Sequence, residues 1–123
     1  MSSEIVVVNF YALRDPEGFD RALRVLVPRV RLQGHAGLRS YRFFGAGPKE
    51  RRLVAIYDGP SAWVGHHDMI MAWPEMAALR ASARLARTDL YGPITPPMQA
   101  WIDRMGLSGK LRHQGESIGG FRR

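Results

Sequence analysis

Apolar positions along this chain change period several times, and each change marks an element. Residues 4–13, EIVVVNFYAL, form an apolar and β-branched run that Asn9 alone breaks from within. That composition suits a strand covered on both faces. Alternation places Ile5, Val7, Asn9 and Tyr11 on one face and Val6, Val8 and Phe10 on the other. The period then lengthens. Phe19, Leu23, Leu26 and Val30 recur at helical spacing behind Asp15-Pro16-Glu17. This start signal supplies a capping carboxylate, a first-turn proline and an acid at the positive end of the helix dipole. Pro28 is expected to kink or break the helix, and Gly34 and Gly37 to close it.

Residues 38–44, LRSYRFF, and 52–58, RLVAIYD, predict two more strands, joined by the hairpin loop Gly45-Ala46-Gly47-Pro48-Lys49-Glu50. Asp58-Gly59-Pro60 opens a second helical region, with Trp63, His66, His67 and Ile70 on one side. Trp73-Pro74-Glu75 restarts a helix, whose apolar face is expected to carry Met76, Leu79, Ala83 and Ala86. Residues 88–95, TDLYGPIT, predict a short edge strand, because Gly92 and Pro93 are poorly tolerated in a central one. The order is βαββαβ, an α+β ferredoxin-like unit. Two helices on one face of the sheet leave the other bare. Apolar residues on both faces of the first and third strands then call for a cover, and a second copy of the chain supplies one. The expected assembly is a homodimer forming a dimeric α/β barrel. Residues 96–105, PPMQAWIDRM, suit a short helix, which ends a domain spanning 1–105. From Gly106 to Arg123 the chain is polar, basic and glycine-rich, as a flexible C-terminal tail would be.

Composition narrows the function. The chain has 123 residues, room for one domain with a real core. It has no cysteine, which excludes disulfides, thiolate metal sites and a Cys nucleophile. No apolar run is long enough for a membrane span, and the first ten residues lack a basic leader. The expected place is the cytoplasm, with no membrane partner. A net charge of +7 invites a nucleic-acid reading. The charge is spread, however: the first 60 residues hold ten basic and six acidic groups, the remainder eight and five. Sixteen of the 18 basic residues are arginine, a skew that coding bias produces without any binding surface. With no block of like charge, the expectation is no nucleic-acid partner. Phosphate loops, dinucleotide fingerprints, nucleophile elbows and metal-ligand spacings are also missing, so no cofactor and no metal are expected.

Three features resemble one known group. Asn9 sits in the first strand just before the Asp15-Pro16 turn. The segment Gly37-Leu38-Arg39-Ser40-Tyr41-Arg42-Phe43 enters strand two. Tyr57-Asp58 and Ser61-Ala62-Trp63 precede His66-His67. Over residues 4–95 this pattern resembles the antibiotic biosynthesis monooxygenase-like domain of the dimeric α/β-barrel superfamily. Pro74-Glu75-Met76 with Tyr91-Gly92-Pro93-Ile94 also resembles that superfamily's NIPSNAP branch, which implies no settled chemistry. The first resemblance implies cofactor-independent oxidation of an aromatic or quinone-like metabolite. It carries the family's strand-one Asn onto Asn9 and its helix-two His onto His66, as the catalytic pair. Of the Asn, Trp and His of haem-degrading members only Asn9 matches, which argues against that activity.

Each candidate has a bland reading beside the sharp one. Asn9 either donates to a substrate oxygen or is satisfied by a backbone neighbour. His66 is a general base, or simply a half-exposed helix histidine. His67, adjacent on the helix, diverges by about 100° and cannot share a metal with it comfortably. Trp63 and Trp73 stack on a substrate, or serve core and interface. Tyr11 shares a face with Asn9 and is the best tyrosine for the pocket; Tyr41 and Tyr57 reach the same space or fill it. Arg39 and Arg42 steer an anion, or line a solvated edge. A non-catalytic ligand-binding or structural dimer is the rival of the oxygenase.

Overall fold

Alternation in the first strand carries through to burial. A computed structural model describes residues 3–123, and in it β1 (Ile5–Leu13) alternates buried and half-buried residue by residue. The buried set is Ile5, Val7, Asn9, Tyr11 and Leu13. After β1 come α1 (Pro16–Gln33), β2 (Leu38–Gly45), β3 (Glu50–Tyr57), α2 (Pro60–Ile70) and α3 (Pro74–Ser82). They are followed by β4 (Ala83–Tyr91), α4 (Pro96–Arg104) and β5 (Leu111–Gly115). The strands lie in the order β2-β3-β1-β4-β5. The first four are antiparallel, as the ferredoxin-like expectation requires. Residues 1 and 2 of the expected 1–105 domain lie outside the described residues.

Asp15 caps α1, its carboxylate accepting from the Gly18 amide at 3.0 Å. Phe19, Ala22, Leu26 and Val30 bury one face of the helix. Pro28 does not break it. The residue lies on the exposed side, as does Arg24, whose carbonyl the proline leaves without an amide partner, so water can satisfy that oxygen. The helix ends at Gly34 in ordinary extended geometry.

Three expectations fail in the C-terminal half. Ala83 and Ala86 belong to β4 rather than to a helix face, and β4 is not an edge strand. It runs nine residues between β1 and β5, ending before Gly92. Pairing with β1 overrides the helical propensity of ARLAR. Gly92 follows at φ +115°, and a side chain there would strike the Glu4 backbone. The segment expected to be a flexible tail contains β5, which runs parallel to β4. Open backbone groups on β4 recruit it: Thr88 N donates to Lys110 O at 3.0 Å, and Gly92 N to Gly115 O at 2.7 Å. No helix among the described residues is long and apolar enough to cross a membrane.

Candidate functional site

A cavity of about 460 Å³ opens between the inner face of the sheet and α2, α3 and α4. Such a volume suits a small-molecule ligand. Of the residues singled out from sequence, Asn9, Tyr11, Tyr41, Tyr57, Trp63 and His66 all line it. It lies within one chain. Trp73 does not line it: the Arg29 guanidinium covers its ring at 4.0 Å. Arg39 is turned away onto Asp58, at 2.7 Å, and Arg42 is exposed off the cavity.

Register brings the polar groups together. Asn9 stands opposite Leu53 on β3 and Thr88 on β4. The Thr88 hydroxyl donates to Asn9 Oδ1 at 2.9 Å, and Asn9 Nδ2 donates to the Tyr11 hydroxyl oxygen at 3.3 Å. Both bonds run in one direction, which leaves the Tyr11 proton as the free end of the line. Tyr11 is itself held against Phe19, with ring centres 5.4 Å apart. Burial raises its pKa, though the Asn9 hydrogen bond works the other way. Burial likewise pushes Tyr41 and Tyr57 well above the ordinary phenol value. All three phenols therefore stay protonated at neutral pH and act as donors.

The α2 residues form the opposite wall. His66 is 1% exposed and its Nδ1 has no hydrogen-bond partner. Its ring packs edge-on to Tyr41 at 5.6 Å and beside Tyr57 at 5.7 Å. Burial lowers its pKa to about 3, helped by its neighbours His67 and His35. His67 approaches the Trp63 carbonyl at 2.7 Å through Nδ1. A carbonyl only accepts, so His67 carries its proton on Nδ1 and keeps the Nε2 lone pair. Its ring packs against both Trp63, at 4.3 Å, and Trp101, at 5.2 Å, and burial lowers its pKa to about 4. Both imidazoles are neutral at pH 7.

Thr88, Trp101 and Lys110 escaped the sequence reading as site residues. Thr88 was placed in a presumed edge strand, Trp101 in a helix of open role and Lys110 in the presumed tail. Thr88 had a findable signal, the need of a buried Asn9 for a partner on an adjacent strand. Trp101 is fixed by donating from Nε1 to Asp68 at 2.7 Å, and it meets Trp63 edge-on at 5.1 Å. Among the described residues, no three or more potential metal ligands come together.

No family model and no curated protein matches the chain. Solved structures do. MupZ from Pseudomonas fluorescens superposes with a TM-score of 0.76, over 100% of this chain and 91% of its own, at 16% identity. A mutant form of SnoaB, a cofactor-independent oxygenase from Streptomyces nogalater, matches with a TM-score of 0.63 at 16% identity. That match covers 78% of this chain and 99% of SnoaB. A candidate antibiotic biosynthesis monooxygenase from Caulobacter crescentus gives 0.63 at 17% identity, over 76% of this chain and 92% of its own. The chain shares the α+β fold of these structures, among them antibiotic biosynthesis monooxygenase-like proteins.

Proposed function

We propose that the chain is a cofactor-independent oxygenase for a phenolic aromatic or quinone-like metabolite. The observation that carries this is the pairing, across one apolar cavity, of the Thr88–Asn9–Tyr11 line with the unsatisfied ring of His66. His66 accepts the proton of a phenol or enol. Alone, its imidazolium is disfavoured by burial. The oxyanion formed beside it offsets that penalty by pairing. Tyr11 and the second amide hydrogen of Asn9 donate to the same oxyanion or to a ring carbonyl. The delocalised negative charge reaches a ring carbon, which adds to dioxygen. The peroxide takes back the proton, and the remaining C–H electrons form a carbonyl as the O–O bond breaks and water leaves. A ring CH2 and one dioxygen thus give a carbonyl and one water. Trp63 and Trp101 wall the ring and exclude solvent.

SnoaB is a cofactor-independent oxygenase, and the fold it shares with this chain supports the reading. Anthrone is a suitable probe because its conversion to the quinone follows that balance. Wild-type protein should consume one dioxygen per quinone formed. His66→Phe and Asn9→Ala should each lower the rate by about a hundredfold. Full turnover in both variants would remove the assignment. Tight anthrone binding with no oxygen uptake would leave a ligand-binding module in its place.

We also propose that the outer sheet face closes on a second copy. Val6, Val8, Phe10, Val54 and Ile56 leave a half-buried apolar band there, and the chain's fold is that of a superfamily whose barrels are built from two chains.

A further inference from the structure

The cavity has an inner end and a mouth, and the two differ in charge. Only five of its lining residues are exposed: Arg14, Arg80, Arg84, Met105 and Lys110. Four of those five are cationic, and among the described residues no aspartate or glutamate lines the cavity. The cations come from separate parts of the chain: the turn after β1, the last turn of α3, the start of β4 and the residue before β5. Their convergence is a product of folding, not of a basic run.

Two backbone devices hold the mouth in place. The Arg14 guanidinium donates to the carbonyls of Arg80 and Ala83, which fastens the α3–β4 junction carrying Arg80 and Arg84. The Lys110 carbonyl accepts from Thr88 N at 3.0 Å, which ties Lys110 to the strand bearing the polar line. Six of the chain's acids are committed to ion pairs elsewhere, among them Asp20 with Arg51 and Glu75 with Arg29. Arg80, Arg84 and Lys110 form no ion pair among the described residues.

We infer that the occupant of the cavity is an amphipathic anion, its rings inside and its carboxylate or sulfonate held at the mouth by Arg80, Arg84 and Lys110. This rests on the reading of the cavity as a ligand site and adds which molecules it selects. The field also acts before contact. A mouth of one sign draws anions in and turns away cationic aromatics of the same shape.

Two fluorescent probes separate charge from shape. 8-Anilinonaphthalene-1-sulfonate and N-phenyl-1-naphthylamine share their rings, and only the first carries an anion. The full chain should bind the sulfonate more tightly. The triple variant Arg80→Gln, Arg84→Gln, Lys110→Gln should weaken the sulfonate by about tenfold and leave the neutral amine within about twofold. Added salt should weaken the sulfonate in the wild type and much less in the triple variant. Leu85→Trp, which fills the cavity, should abolish both probes. Equal affinity for the two probes, or a triple variant that binds both as before, overturns the anion site while the cavity stands. Sulfonate binding that survives Leu85→Trp places the probe elsewhere and overturns it too. Failure of both probes to bind the wild type removes the cavity as a ligand site, and this inference with it.

Discussion

The two faces of one sheet follow opposite rules. On the inner face, β1 contributes Ile5, Val7, Asn9 and Tyr11, all buried. Thr88, Asn9 and Tyr11 are hydrogen-bonded in series there, and the two imidazoles that face them are neutral. The outer face of the same strand carries Val6, Val8 and Phe10, none fully buried. There the charges are left on. Arg52 and Arg87 place their guanidinium groups over the Phe10 ring at 4.5 and 4.1 Å, and Arg87 meets Asp89 at 3.0 Å. Phe44 and Tyr91 remain 46% exposed. One strand thus lines a mostly apolar cavity on one side and carries an amphipathic surface on the other.

Acid should break that comparison with the largest effect. Inside the fold His66 and His67 stay neutral down to about pH 3 and about pH 4. In the unfolded chain histidine takes up its proton near pH 6.5. Unfolding therefore binds two protons between those limits, and stability falls as pH falls. It is fully present above about pH 7. Between about pH 7 and about pH 5 the pair should remove roughly 4 kcal/mol, read by urea melts. Ion-paired carboxylates such as Asp20 and Asp58, whose pKa values are lowered, add their own loss only at more acid pH. Replacing both residues, His66→Phe with His67→Phe, should flatten the dependence over this window. An unchanged slope would mean that the inner histidines are charged or solvated in the folded chain.

The outer face should answer to a different lesion. Val8→Glu puts a carboxylate in the middle of its apolar band, and in a two-fold dimer it appears twice. Association should weaken by about 3 kcal/mol or more, because each charge loses water without gaining a partner. Sedimentation should show dimer becoming monomer while the circular dichroism of the chain holds. A wild type that sediments as a monomer at all concentrations would end the proposal of a second copy on this face.

Legibility followed the same division of faces. Period 3.6 in residues 16–33 was clear because α1 has one strongly buried side, whereas both alternating faces of β1 are apolar and only the fold buries one of them more fully. The inner-face residues could be read as a set: Asn9 interrupts an apolar run, and Tyr11 must share its face. Three things were hidden. The segment ARLAR reads as helix by local propensity, and only pairing to β1 makes it strand. LRHQG has almost no apolar signal, since β5 is held by backbone bonds at the edge of β4. The cationic mouth draws on residues 14, 80, 84 and 110, whose meeting depends on topology. Trp73 shows the opposite error: an aromatic near the right helix is not at the site, because Arg29 of α1 covers it.

The finest test compares one hydroxyl on each face. Thr88 on the inner face donates to Asn9 Oδ1, and both residues are buried. Thr88→Val keeps the shape and leaves that oxygen unpaired, which should cost about 1–3 kcal/mol in a urea melt. Ser40 stands opposite Ile56 on the outer face and is half-buried. Ser40→Ala should stay within about 0.5 kcal/mol. The same pair of variants also separates packing from chemistry. Without Thr88 the Asn9 amide is free to turn, and the Tyr11 hydroxyl loses the donor that aims it. Anthrone-dependent oxygen uptake should then fall in kcat more than KM rises, while Ser40→Ala leaves both unchanged. If Thr88→Val costs no more than Ser40→Ala in the melt and in kcat, the polar line is not what organises the inner face, and the neutrality of His66 alone must carry the assignment.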